Sequence, residues 1–136
     1  MERVYTTPLL DKLGIRPGAR VAIADVDDPE FRALLEERTT DVTDLGPADL
    51  PPPDTDIVMF GAESVAALGR LVDLKRTLRQ NGAIWVVWRK GKAATLRDVD
   101  VIDAAISVGL VDNKVASFSA THTAQRLVIP LARRTG

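Results

Sequence analysis

Three carboxylates in four positions, Asp25, Asp27 and Asp28, follow an apolar run and lead into Pro29. Clustered carboxylates at a strand end suit Mg²⁺ or Ca²⁺. The competing role is helix capping, in which Asp28 accepts backbone N–H bonds and Asp27 complements the helix dipole. Capping is the preferred reading, so no metal is expected; it leaves Asp25 unexplained. A second group is Trp88, Arg89, Lys90 and Lys92, with Gly91 freeing the backbone between the cations. An aromatic beside such a basic loop can hold a phosphate or carboxylate. The ordinary alternative is a core tryptophan followed by a solvated charged turn. His122 is the only histidine. A general base needs an orienting partner and a pocket, and the sequence supplies neither, so His122 reads as an exposed turn residue. With no cysteine, no nucleophile-elbow serine and no P-loop, the chain carries no catalytic signature.

These residues need elements to position them. Thr7 and Pro8 predict the start of a short helix that Gly14 closes in a left-handed cap. Arg20–Ala24 reads as a buried strand, and Asp28-Pro29-Glu30 opens a helix on which Phe31, Leu34 and Leu35 share a face. A weak strand follows over Thr39–Leu45. Residues 46–56 hold four of the eight prolines and form a surface connection whose extended backbone ranges from ordered to floppy. Ile57–Phe60 is a further apolar strand. Ala67, Leu71, Leu74 and Leu78 then recur at helical spacing, which predicts a helix ending at Asn81-Gly82 with Lys75, Arg76 and Arg79 as a solvated basic face. Ala83–Trp88 is the clearest strand, with Trp85 in the core. Thr95–Asp98 resembles a capping box before a helix lined by Val99, Ile102 and Ile106, which Gly109 ends. Two strands joined near residues 120–123 close the chain, with Pro130 at or near the end of the second.

Strand and helix alternate, and the strands are continuously apolar. The predicted fold is therefore α/β: a three-layer, Rossmann-like, mostly parallel sheet with helices on both faces and a C-terminal antiparallel hairpin. Residues 1–136 make a single domain, with 46–56 a surface loop and 133–136 a disordered tail. Ligands of such sheets bind outside the carboxyl ends of the strands, where strand order reverses. The candidate crevice is lined by Asp25 and Asp27 after the first strand, Gly61 and Glu63 after the central one, and Trp88, Arg89, Lys90 and Lys92 after the Trp-containing strand.

Composition sets the outer limits. The chain has 136 residues, 46% of them hydrophobic and 27% charged, which excludes a disordered polypeptide. Eighteen Lys and Arg against nineteen Asp and Glu give a net charge of −1, so no bulk field recruits nucleic acid or an anionic membrane. The first residues carry no apolar leader and no long apolar span follows, so a cytoplasmic location is expected.

Asp54–Phe60 and Asn81–Trp88 resemble the fourth and fifth strands of class I S-adenosylmethionine-dependent methyltransferases, with the intervening helix and turn. The order of elements is similar to that fold with the region of its third strand shortened. More closely, Thr7-Pro8-Leu9, Lys12–Gly18 and Trp85–Gly91 are similar to a family of short bacterial proteins known only as a domain of unknown function. The methyltransferase resemblance implies a glycine-rich turn after the first strand and an acid in the second strand for the ribose. Here Ile23 stands in place of the motif's acid, and Asp25, Asp27 and Pro29 stand in place of its glycines. The resemblance therefore implies a binding or interaction domain that keeps the scaffold without catalysis, and no cofactor is expected. The alternatives are a methyltransferase that binds S-adenosylmethionine atypically, and a small-anion or phosphate-binding protein using the basic loop. A protein partner or a small anionic ligand is expected, a membrane or nucleic acid is not, and self-association stays open.

Overall fold

A computed structural model describes residues 8–134. Its strands are β1 (Val21–Ala24), β2 (Val42–Asp44), β3 (Thr55–Gly61), β4 (Leu78–Arg89), β5 (Val111–Ser117) and β6 (His122–Val128). Its helices are α1 (Leu9–Lys12), α2 (Pro29–Arg38), α3 (Leu71–Leu74) and α4 (Asp98–Ser107). The six strands form one sheet in the order β2-β1-β3-β4-β6-β5. The four strands from β2 to β4 run parallel, while β6 is antiparallel to both β4 and β5. This is the expected α/β architecture with its closing hairpin.

Alternation along the strands builds two cores. Ala22, Val58, Phe60, Ile84, Val86 and Trp88 face α3 and α4, against Leu71, Leu74, Val101 and Ala105. Val21, Ile23, Met59, Trp85 and Val87 face the opposite layer, against Leu10 and Leu13 of the α1 segment and Phe31 and Leu35 of α2. Trp85 and Trp88 thus point to opposite faces, as their odd spacing requires, and both are buried. The Trp85 indole N–H donates to the Leu13 carbonyl at 2.9 Å, which satisfies its one polar atom inside the core.

Several local expectations change. The helix predicted from Ala67 to Gly82 is instead a 3₁₀ turn over Ala66–Arg70 running into the single-turn α3. Leu78 opens β4, and Asn81-Gly82 lies inside that strand. Between Thr55↔Leu78 and Ile57↔Ala83 the register shifts, so the intervening β4 residues loop out. The apolar spacing is real, since Leu71, Leu74 and Leu78 are all buried, but the burial is shared between a turn and a strand. A Cβ at Gly82 would stand 2.7 Å from the Asp56 carbonyl oxygen, so a glycine lets the two strands close there. Lys75, Arg76 and Arg79 form no common patch: they reach the Val108 carbonyl, Asp73 and Asp56 respectively.

The other helices shift their faces. In α4 the buried pair is Val101 and Ala105, while Val99 and Ile106 are exposed. The cap of α4 is Asp100 accepting from the Arg97 N–H at 2.9 Å; Thr95, assigned to the box, donates its hydroxyl to the Glu63 carbonyl. In α2 Phe31 and Leu35 are buried and Leu34 is exposed. Pro8 is the N-cap of α1, one position later than the predicted cap at Thr7, which lies outside the described residues. Leu131–Arg133 form a 3₁₀ turn and Arg134 donates to the Ile129 carbonyl, while 135–136 lie outside the described residues.

The proline-rich connection is pinned. Thr77 Oγ1 donates to the Pro51 carbonyl at 2.8 Å, Thr55 Oγ1 to Pro52 at 2.6 Å, and Arg20 to Pro53 at 2.6 Å. Side chains from three separate segments thereby satisfy carbonyls that have few intrasegment donors, because proline has no N–H.

Candidate functional site

The chain leaves β1 toward β2 on one side and returns through β3 on the other, so strand order reverses between β1 and β3. At the carboxyl end of that junction a crevice of about 510 Å³ opens. It has four sequence-predicted residues in its walls: Asp25, Asp27, Gly61 and Glu63. Asp28, Glu30, Val87, Phe118 and His122 complete the lining that matters chemically.

The turn after β1 has a specific shape. Asp25 takes φ +60°, the left-handed region that Asp tolerates better than most residues. Its carbonyl is turned onto Gly61, where a Cβ would stand 2.1 Å from the oxygen. Only glycine at 61 permits that approach. Asp28 then caps α2, accepting from the Phe31 N–H at 3.0 Å, as expected. On the far wall the Phe118 ring packs on Phe31 with centroids 5.1 Å apart, tying the β5–β6 turn to the first turn of α2.

The charge of the crevice is one-sided. Asp27, Glu30 and Glu63 make no side-chain hydrogen bond or ion pair among the described residues. Asp25 approaches the Arg70 guanidinium at 3.8 Å, but Arg70 is held elsewhere, donating to the Gly46 and Asp49 carbonyls of the loop after β2. Arg70 thus joins the ends of β1 and β2 and closes that side. The acid that β2 carries, Asp44, is also taken up: Arg32 donates to both of its oxygens at 2.7 and 2.9 Å. Those hydrogen bonds hold the Asp44 carboxyl below its usual pKa and raise that of Arg32.

The basic loop takes no part in the crevice lining. Trp88 is sealed into the α3–α4 core, at 4% exposure, and does not line the crevice. Arg89 ends β4, exposed and paired in register with His122. Lys90 braces the hairpin turn, its N–H donating to the Thr121 carbonyl and its ammonium to Ser117 Oγ at 2.8 Å. Lys92 sits exposed in a 3₁₀ turn. The predicted cluster separates because Trp88 packs into the core, Lys90 is tied to the β5–β6 turn, and Lys92 follows the left-handed turn at Gly91, which has φ +75°.

His122 was misplaced in the opposite sense. It is half-buried, begins β6 and lines the crevice, with Nδ1 2.8 Å from Thr121 Oγ1. Its partner is adjacent in sequence, but the pocket is made by β1 and β3, far along the chain. No sequence signal joined the two. Phe118 was missed for the same reason. Among the described residues no group of three or more acids and histidines is arranged to hold a metal ion, and no helix is long and apolar enough to cross a membrane.

The architecture is that of solved methyltransferases. A SAM-dependent methyltransferase from Aquifex aeolicus superposes with a TM-score of 0.69 at 13% identity, covering 90% of this chain and 88% of that one. A candidate type 11 methyltransferase from Sulfolobus solfataricus gives 0.66 at 16% identity, covering 94% and 93%. Magnesium protoporphyrin IX methyltransferase from Synechocystis PCC 6803, solved with bound SAH, gives 0.58 at 12% identity, covering 89% and 78%. At these identities the likeness is one of fold. No curated protein matches the sequence. Residues 11–131 match the family described as protein of unknown function DUF3052, and the chain belongs to that family.

Proposed function

We propose that this chain is a binding domain on a methyltransferase-like scaffold, and that its crevice receives a ligand through a positively charged group. What carries the reading is the set of unpaired carboxylates, Asp27, Glu30 and Glu63, around a partly apolar cleft at the switch point. An amine or guanidinium entering between them meets charge of opposite sign, and Phe118 and Val87 offer apolar contact to its carbon skeleton.

The residues do not fit S-adenosylmethionine in its usual mode. The turn after β1 presents aspartates in place of glycines, and a carboxylate-bearing ligand meets like charge there. Asp28 already occupies the Phe31 N–H in the first turn of α2, where helices commonly bind anions. Asp44, the acid available for a ribose, is bound at both oxygens by Arg32.

Thermal unfolding in the presence of S-adenosylmethionine, S-adenosylhomocysteine, spermidine and an arginine-containing tripeptide tests the reading. A ligand at 100 times its Kd adds about 2.7 kcal/mol, a shift of several degrees at this size. The expected result is a shift with a cationic probe that Asp27→Asn with Glu63→Gln removes, and none with either adenosyl compound at millimolar concentration. A shift with S-adenosylhomocysteine, lost in the same double variant, would overturn it in favour of atypical cofactor binding.

A further inference from the structure

At the opposite end of the sheet, below the amino ends of β1 and β3, a second cavity of about 500 Å³ is lined by Arg16, Arg79 and Arg126. The one carboxylate in its wall is Asp56. That carboxylate is already engaged, accepting from the Arg20 N–H at 2.9 Å and pairing with Arg79 Nε at 2.9 Å. Arg16 and Arg126 have no ion-pair partner among the described residues, and Arg16 makes no hydrogen bond with its side chain there either.

Arg126 is the telling group. It is half-buried on β6, on the face toward α1, and its only polar contact is a long 3.5 Å approach to Asn113 Oδ1. Burial lowers its pKa from the usual guanidinium value, and the nearby cation of Arg134 lowers it further. A desolvated guanidinium facing more positive charge is costly to keep unless something supplies the counter-charge. Asn81, in the same wall, adds an amide with no partner among the described residues. Planar guanidinium forks from different segments suit a tetrahedral oxyanion, which accepts several of their donors at once.

We propose that this cavity is an anion site that binds a phosphate group, either free or carried by a small molecule, through Arg16, Arg126 and the outer donors of Arg79. The proposal does not rest on the ligand of the acidic crevice, which lies at the other end of the strands.

Isothermal titration with inorganic phosphate, pyrophosphate and glucose 6-phosphate at low ionic strength tests it. Binding to at least one probe is expected, weakened at least tenfold by Arg126→Gln and by Arg16→Gln, and unchanged in Asp27→Asn with Glu63→Gln. Glucose 6-phosphate binding more tightly than phosphate identifies a carried group, and the reverse identifies the free ion; both support the site. Arg16 is exposed, so its substitution leaves packing intact and separates lost binding from misfolding. Absence of heat with all three probes, or binding that survives both arginine substitutions, overturns the proposal. So does a single-stranded oligonucleotide that binds through the same arginines while the small probes do not.

Discussion

The two ends of one sheet carry opposite charge, and they acquire it in different ways. At the carboxyl end the acids come mostly from one short run, Asp25 to Glu30, with Glu63 added across the gap. At the amino end the arginines at 16, 79 and 126 come from three distant segments. Parallel strands explain the acidic end, because the loops leaving β1 and β3 emerge there together; at the amino end Arg16 precedes β1, Arg79 lies near the start of β4, and Arg126 comes from the antiparallel β6. The chain is nearly neutral overall, so this polarity is invisible to net charge. A neutral composition excludes a bulk field but says nothing about fields confined to clefts.

The strongest way to break the acidic end is to fill the space on which its shape depends. Gly61→Ala places a Cβ 2.1 Å from a backbone oxygen, which cannot swing aside as a side chain would. We expect a loss of about 3 kcal/mol, or roughly 10 °C in Tm. Gly82→Ala at the other end meets the Asp56 carbonyl at 2.7 Å, and should cost less. Thermal unfolding of the two variants side by side ranks them; a Gly61→Ala protein as stable as its parent would show that the turn at Asp25 is free to move.

Next in size is the cap. Asp28→Ala removes the acceptor for the Phe31 N–H, and a loss of about 1 kcal/mol is expected from urea unfolding. Asp28→Asn should retain most of that stability, because the amide oxygen still accepts. If the two variants fall equally, the charge at this position, and not the hydrogen bond, is what stabilises α2.

Arg126→Gln sharpens the comparison because it should move stability the other way. If Arg126 is held for a ligand, removing its charge relieves desolvation and the repulsion from Arg134. A gain of about 0.5 kcal/mol in the ligand-free protein is expected, kept small because the side chain is half-exposed and water screens it. Chemical denaturation without added anion measures it. A clear loss of stability would mean that the guanidinium serves packing and the Asn113 contact.

The fold was legible in the sequence because its signals are local and repeated: apolar runs of strand length, glycines at Gly14 and Gly109, and an Asp-Pro cap. Part of the acidic site was legible for the same reason, since Asp25, Asp27, Gly61 and Glu63 follow directly on strand ends. What failed required tertiary information. Leu78 continues a helical spacing, yet pairing with Thr55 drew it into the sheet. Trp88 stood among the candidate crevice residues with the core as its competing place, and packing against α3 and α4 settles it in the core. His122 and Phe118 reach the crevice only because β6 pairs antiparallel with β4, and the three arginines meet only once the sheet is closed.

The smallest expected effect concerns Asp44, the acid at the end of β2. Arg32 holds Asp44 below its ordinary pKa through hydrogen bonds to both oxygens. A carboxyl depressed on folding contributes stability above its unfolded value, about 3.9, and that contribution is lost as pH falls through the folded value. Asp44 is 64% exposed, so solvent screening limits the effect to a few tenths of a kcal/mol. Asp44→Asn should therefore flatten the acid side of the stability profile slightly while leaving neutral-pH stability almost unchanged. Urea midpoints at about pH 7 and about pH 3 read this directly. An unaltered slope would mean that the pair forms without selecting the charged form.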